Sequence, residues 1–361
     1  MEWELKKKLL FILIGIQVGV PWTYYSIFKF TGGGMLALVL NIVAGNLISI
    51  LLIGKIAKIE QNFNDARKLI ALAFIGYIIA DVVLVVGVVE KNVWLIILNN
   101  VIAAPFGLIF WKNVDYYPIA VEGFTNRAKI VNQRVFWTSV GAAAGVLLFS
   151  VIPVTIYTTF VATVIARVLV MIVLATSPYA PVEDSHPSVL RGHVLWEHVT
   201  VIVVLFLIAY ANQLYNGSFS VYQKIYFGDF SVPFISAAMF LVFGFTQHSL
   251  MRYFTSDGDF GLKALFVLLP IVGVFVAGFS LPYVVFGRAI LSALFLSARH
   301  SVIKTLPSEK TGAVIMGTQV INNLSTLFMV PFALFGTPEL MFASSVVVAL
   351  IASGLILWSS R

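Results

Sequence analysis

Long apolar runs separated by short polar turns dominate the chain. They count to twelve: 9–28, 35–54, 69–89, 93–111, 135–152, 154–175, 199–217, 231–250, 262–279, 281–298, 312–334 and 338–358. A hydrocarbon core of about 30 Å takes roughly 20 apolar residues of helix, so each run has the length of one crossing. Two joints interrupt otherwise continuous apolar sequence, Val151-Ile152-Pro153-Val154 and Gly278-Phe279-Ser280-Leu281-Pro282. A proline after a turn residue suits a tight hairpin, and reading through either joint would give a span of about 37 residues, too long even with tilt. Lys6-Lys7-Lys8 precede the first run, but no small-x-small cleavage site follows and Gly19-Val20-Pro21-Trp22 leads into more apolar sequence. The run therefore reads as an uncleaved first helix. The pattern predicts an all-α polytopic membrane protein of twelve transmembrane helices.

Composition agrees. The chain is 60% hydrophobic and 11% charged, against about 45–50% and about 25% in soluble domains. Twenty-three basic and 16 acidic side chains in 361 residues cannot clothe a soluble surface of this size. Cysteine is absent, which removes disulfides, thiolate nucleophiles and zinc-thiolate or iron–sulfur sites. Where the basic residues fall matters more than their number. With the N-terminus inside, eighteen of the 23 lie in cytoplasmic segments, Lys55, Lys58, Lys112 and Arg134 among them. Lys29, Lys91 and Lys224 fall on the opposite side, and Arg167 and Arg288 within spans. Such an asymmetry satisfies the positive-inside rule and puts both termini in the cytoplasm. The net charge of +7 is thus a topology signal, and no nucleic-acid partner is expected.

The connection at 176–198 is the longest and gathers Pro178, Pro181 and Pro187 with Glu183, Asp184 and His186, the composition of an irregular cytoplasmic linker. It divides the chain into bundles of six helices, 1–175 and 199–361. A local repeat supports two related halves. A polar, basic turn opens span five (Phe124-Thr125-Asn126-Arg127-Ala128-Lys129-Ile130), and another opens span eleven (Ser308-Glu309-Lys310-Thr311-Gly312).

With its six-plus-six plan, inside termini, central linker and paired turns, the chain resembles the major facilitator superfamily. The resemblance implies a secondary transporter working by alternating access. That family's pattern between spans two and three carries an acidic residue; Gly54-Lys55-Ile56-Ala57-Lys58 and Arg67-Lys68 keep the glycine and bases but lack the acid. A fainter similarity to the cation-coupled sugar symporters rests on Asp115, Arg127 and Arg134, with Asn41 and Asn46 where those proteins carry paired acids on span two.

Charges inside a bilayer are costly and mark function or pairing. Asp81 is the one carboxylate well inside a predicted span. It is expected either to exchange a proton or pair with a coupling cation, or to be held by an Arg or a Tyr such as Tyr77. Arg288 in span ten would bind a carboxylate or phosphate on the substrate, or pair with Asp81 or with helix-end carbonyls. Arg167 in span six reads as structural, snorkelling partly toward the cytoplasm. Neutral polar candidates for solute binding are Gln17, Trp22 and Tyr24 on span one and Asn99 and Asn100 on span four. Spans seven and eleven add Tyr210, Gln213 and Asn216, and Gln319, Asn322 and Asn323. Converging amides and aromatics would suit a neutral, hydroxylated or amide-bearing solute, although such amides also bind helices to one another. Gly15 with Gly19, and Gly141 with Gly145, have the spacing of close helix contacts. His193 and His198 are five apart and miss the helical metal spacing; no metal, cofactor or enzymatic site is expected. The reading is a cell-membrane transporter of a small polar solute, coupled to protons through Asp81 or uncoupled. The competing class is a hydrophobic subunit of a larger complex or a membrane-embedded lipid-handling protein.

Overall fold

In lipid the backbone has no water to bond, so an apolar run must satisfy its N–H and C=O groups within its own segment, as a helix. A computed structural model of the chain describes residues 2–123, 127–182, 199–216, 228, 232–255, 287, 289–296, 311–331 and 338–359. Its helices are α1 (Glu2–Glu60), α2 (Ala66–Val89), α3 (Val93–Glu122), α4 (Arg127–Phe149), α5 (Ile156–Ala175), α6 (Val199–Asn216), α7 (Val232–Thr255), α8 (Thr311–Phe328) and α9 (Pro338–Ser359). A further short helical stretch spans 289–296. The joint at Gly278–Pro282, the turns at 124–126 and 308–310, and residues 183–198 lie outside the described residues.

α1 contains the first two predicted spans, broken at one residue. Gly34 has φ 71° and ψ −175°, a conformation essentially confined to glycine. A Cβ there would have open space around it, so backbone geometry alone requires glycine. The joint after α4 behaves as the sequence predicts. α4 ends at Phe149, and Thr155 opens α5 with a reciprocal capping box to Thr158.

Uniform hydropathy along these helices leaves their outer faces apolar. α2 buries Leu69, Ala73, Phe74, Ala80 and Leu84 but exposes Ile75, Ile79, Val82 and Val86, a lipid-facing stripe at helical spacing. Five described helices are long and apolar enough to cross a membrane. The protein is an integral, multi-pass membrane protein.

α1 is the central strut of the helices before residue 182, packing on α3, α4 and α5. It meets α4 at backbone distance. A Cβ on Gly15 would collide with the Thr138 carbonyl, and one on Gly141 with the Ile12 carbonyl. At Gly19 it would lie 2.7 Å from the Ala142 Cα. The two small-xxx-small pairs thus interlock, as their spacing predicts.

Two helices outrun their apolar runs, which corrects the placement of several charges. α3 continues to Glu122 and α4 begins at Arg127, so Lys112, Asp115 and Arg134 ride on helices inside the bundle rather than in loops. All three are buried, at 2%, 2% and 6% exposure. Buried charge is tolerated only when paired and hydrogen-bonded. Lys112 Nζ lies 2.5 Å from Glu60 Oε2, and Asn113 donates to Glu60 Oε1 at 3.0 Å. Arg134 Nε lies 2.7 Å from Asp115 Oδ1. Residues 54–58 carry no acid, but Glu60 at the end of α1 and Asp65 before α2 follow closely. Asp65 caps α2, accepting from the Arg67 backbone and binding its guanidinium at 2.7 Å. Burial pushes this carboxyl up, but the side-chain and backbone hydrogen bonds from Arg67 outweigh it and hold the group below its ordinary range. The first residues after α5 dock on the same end: Ala180 O accepts from Ala66 N at 3.0 Å and Pro178 O from the Tyr117 hydroxyl at 2.7 Å.

Candidate functional site

Two polar groupings stand out, one enclosed among α1, α2, α3 and α5, the other at a cavity. In the first, Asp81 on α2 is 4% exposed and Arg167 on α5 is 3% exposed. Their Oδ2 and Nη1 atoms are 2.6 Å apart. Tyr25 donates its hydroxyl to the same oxygen at 3.1 Å, and Arg167 Nε donates to Gln17 Oε1 at 3.3 Å. The guanidinium also lies 5.1 Å from the centre of the Tyr77 ring, within cation–π range. Arg167 therefore does not snorkel, a correction to the sequence reading. Burial on α5 opposite a carboxylate gives it a stronger partner than the interface.

Lys29 is helical and not in a loop. It sits one turn beyond Tyr25, within α1, and its Nζ donates to Asn41 Oδ1 at 3.0 Å. Asn41 donates in turn to the Ile96 carbonyl, and Asn100 donates to the Asn41 carbonyl at 2.9 Å. Asn99 donates to the Ala80 carbonyl at 2.8 Å. These asparagines bind α1, α2 and α3 together.

The cavity has a volume of about 290 Å³ and lies between the two groups of helices. Val18 of α1, Trp111 of α3 and Arg134, Thr138 and Ser139 of α4 line one side. Phe240 and Phe243 of α7, Phe295, and Gln319 and Asn322 of α8 line the other. Arg134 and Thr138 share a face by i, i+4 spacing. The Arg134 guanidinium lies 6.0 Å from the Trp111 ring centre. The buried Thr138 hydroxyl has no hydrogen-bond partner among the described residues, so a bound molecule could supply one. On the opposite wall Gln213 donates to Asn322 Oδ1 at 2.8 Å, which orients the Asn322 amide. Gln319 donates to Asn323 Oδ1 at 3.4 Å. Arg134 and Asp115 offset one another's charge, so this pair leaves the wall without net charge.

Of the residues singled out in the sequence, Gln319 and Asn322 line the cavity, and Gln213 and Asn323 support them. Trp22 packs edge-on against Phe240, ring centres 5.5 Å apart, one layer behind the wall. The others lie elsewhere. Gln17 serves Arg167, Asn99 and Asn100 serve helix carbonyls, and Tyr24 packs on Phe149 at 5.4 Å. Tyr210 donates to the Phe328 carbonyl at 3.4 Å. Arg288 and the Asn216 side chain lie outside the described residues. Sequence reading passed over Thr138 and Ser139 and assigned Arg134 to a loop. The available signal was the polar run Asn132-Gln133-Arg134 followed one turn later by Thr138-Ser139, which makes α4 less apolar than its neighbours.

Comparison with protein-family models and with curated protein sequences finds no match. Solved structures do match over nearly the whole chain. A major facilitator superfamily transporter, FucP, in the outward conformation superposes with a TM-score of 0.71 at 12% identity, covering 100% of this chain and 99% of that one. The nucleoside transporter NupG gives 0.69 at 12% identity, with 99% and 98% covered. A D-xylose-proton symporter gives 0.68 at 13%, with 98% and 97% covered. The chain has the major facilitator fold.

Proposed function

We propose, for a chain of the major facilitator fold, that this protein is a secondary transporter of a small, neutral polar solute and not an enzyme. Its site is the cavity between the two groups of helices. The proposal includes the full plan read from the sequence: twelve spans in two related six-helix bundles (1–175 and 199–361), a cytoplasmic linker at 176–198, and cytoplasmic termini in the cell membrane. One observation carries the functional reading: the cavity takes its lining from both groups, with polar side chains on each wall. A solute held there touches both bundles, and rocking one against the other exposes it first to one side of the membrane and then to the other. A cavity lined from both groups, with polar side chains on each wall, favours this reading over a hydrophobic subunit or a lipid-handling protein.

The lining favours an uncharged solute, with aromatic rings for its faces and Thr138, Asn322 and Gln319 for its polar edges. The solved likenesses include a nucleoside transporter and a D-xylose-proton symporter, whose solutes are of this size and polarity. We extend the reading to proton coupling, sought among the buried charges Asp81 and Arg167 and the half-buried Lys29. The test is purified protein in liposomes, preloaded with a panel of radiolabelled neutral sugars, nucleosides and amides. Saturable exchange of at least one solute is expected. Absence of exchange across the panel, with the protein folded, would overturn the reading.

A further inference from the structure

The charges in and beside the cluster around Asp81 do not cancel. Among the described residues it holds one carboxylate, Asp81, and one cation, Arg167, and a second cation, Lys29, stands one turn beyond Tyr25 on α1. Asp81 is engaged twice at a single oxygen, by Arg167 at 2.6 Å and Tyr25 at 3.1 Å. That pair is complete without Lys29. The described hydrogen bond of the half-buried lysine goes instead to a neutral amide oxygen, Asn41 Oδ1, at 3.0 Å.

The two arrangements differ in what loss of a proton would cost. Protonating Asp81 would break an ion pair and strand a buried guanidinium, an expensive event. Lys29 can surrender a proton and keep its bond, because a neutral amine still donates N–H to Asn41. Taking a proton onto Lys29 raises its charge from zero to +1 and returning it to water reverses the change; no other bond is made or broken. We propose that Lys29 carries the coupled proton of the transport cycle, while the Asp81–Arg167 pair is a fixed part of its surroundings. This rests on the transport reading above.

Its position connects the proton to the motion. Asn41 lies on the second limb of α1, where its neighbours Val39, Ile42 and Val43 pack with Met329, Met341 and Tyr210 of the other group of helices. A change in the Lys29–Asn41 bond therefore acts at a contact that must open and close as the bundles rock. Among the described residues, the charged and titratable groups of the cluster that begins one turn back at Tyr25 are Tyr25 itself, Asp81 and Tyr77 on α2 and Arg167 on α5. α3 contributes to the same cluster the Ile96 carbonyl, through Asn41.

The experiment uses the full chain in liposomes with an imposed pH gradient, and the solute identified by the exchange panel. With one proton per neutral solute, wild type should accumulate up to about tenfold per pH unit. Lys29→Gln cannot hold the proton and Lys29→Arg cannot release it. Both should lose pH-driven accumulation while still exchanging solute. Asn41→Asp leaves Lys29 in place but pairs it with a carboxylate, and should uncouple in the same way. The double variant D81N/R167Q removes the ion pair and should retain a pH-driven gradient. Accumulation by K29R at the wild-type level would overturn the proposal, as would loss of the gradient in D81N/R167Q with its retention in K29Q. A measurement needing no solute separates this from failure of the transport reading. The difference in Tm between wild type and K29R should change between about pH 6 and about pH 9. A constant difference overturns the proposal even if transport occurs. A changing one supports Lys29 titration even if no panel solute is carried.

Discussion

Removing one member of the Asp81–Arg167 pair tests whether the bundle is held by charge as well as by packing. Arg167→Gln would leave a 4% exposed carboxylate with the Tyr25 hydroxyl as its remaining described hydrogen-bond partner. Asp81→Asn would leave the guanidinium with Gln17 at 3.3 Å and the Tyr77 ring at 5.1 Å. Breaking a buried pair by removing one partner costs about 3–5 kcal/mol, mostly the desolvation of the charge left behind. The arginine substitution should lie at the upper end, because its orphan keeps fewer partners. Neutral helix–helix hydrogen bonds in membranes are worth about 1 kcal/mol or less. Asn99→Leu, which deletes the 2.8 Å bond to the Ala80 carbonyl, therefore sets the scale for an ordinary polar contact. The double variant D81N/R167Q removes both charges at once and should cost well under the sum of the singles.

The assay is reversible unfolding in mixed micelles, with the four proteins of the cycle and N99L measured together. Two outcomes would refute the reasoning. One is single losses no larger than that of N99L. The other is additivity within about 0.5 kcal/mol, the behaviour of residues that do not interact.

Three further outcomes are expected. Gly15→Ala drives a methyl group into the Thr138 carbonyl and should cost about 1–3 kcal/mol in the same unfolding assay, whereas Gly54→Ala, with open space around it, should be close to neutral. Asp65→Ala removes the cap of α2 and should cost about 0.5–2 kcal/mol at neutral pH. Because the folded state holds this carboxyl below its ordinary range, its stabilisation is present above the unfolded value and lost as pH falls through the folded one. The unfolding curves of wild type and D65A should then converge in acid. Asn322→Ala should weaken solute binding about tenfold, read by calorimetry in detergent with the solute from the exchange panel. Gln213→Leu should weaken it less and lose the selectivity that a fixed Asn322 amide confers.

Hydropathy made the helices legible because lipid imposes one requirement, internal backbone bonding, on every crossing segment. It located where each helix is apolar, not where it ends. α3 runs on to Glu122 and α4 starts at Arg127, so a reading tied to apolar length put Lys112, Asp115 and Arg134 in loops. Their partners, Glu60 for Lys112 and Asp115 for Arg134, come from distant or neighbouring helices and are fixed by packing that no single run reveals. The glycine pairs were readable for the opposite reason: a small residue every four positions is a local record of close contact, and Gly15 and Gly141 do meet.

The amides show the same limit from the other side. Asn99 and Gln319 are both polar residues within apolar runs, with nothing in their immediate sequence to tell them apart. Asn99 faces the Ala80 carbonyl of an adjacent helix, and Gln319 faces open volume. Which of these an amide meets depends on where the two groups of helices fail to touch, a property of the assembly. The sequence feature that came nearest to it was the polar row on α4, Arg134 with Thr138 and Ser139. That row faces a third environment besides lipid and packed helix. The cavity is that environment. The row's guanidinium is offset by Asp115 and its Thr138 hydroxyl has no described partner, which leaves hydrogen bonding rather than net charge as what this wall offers a solute.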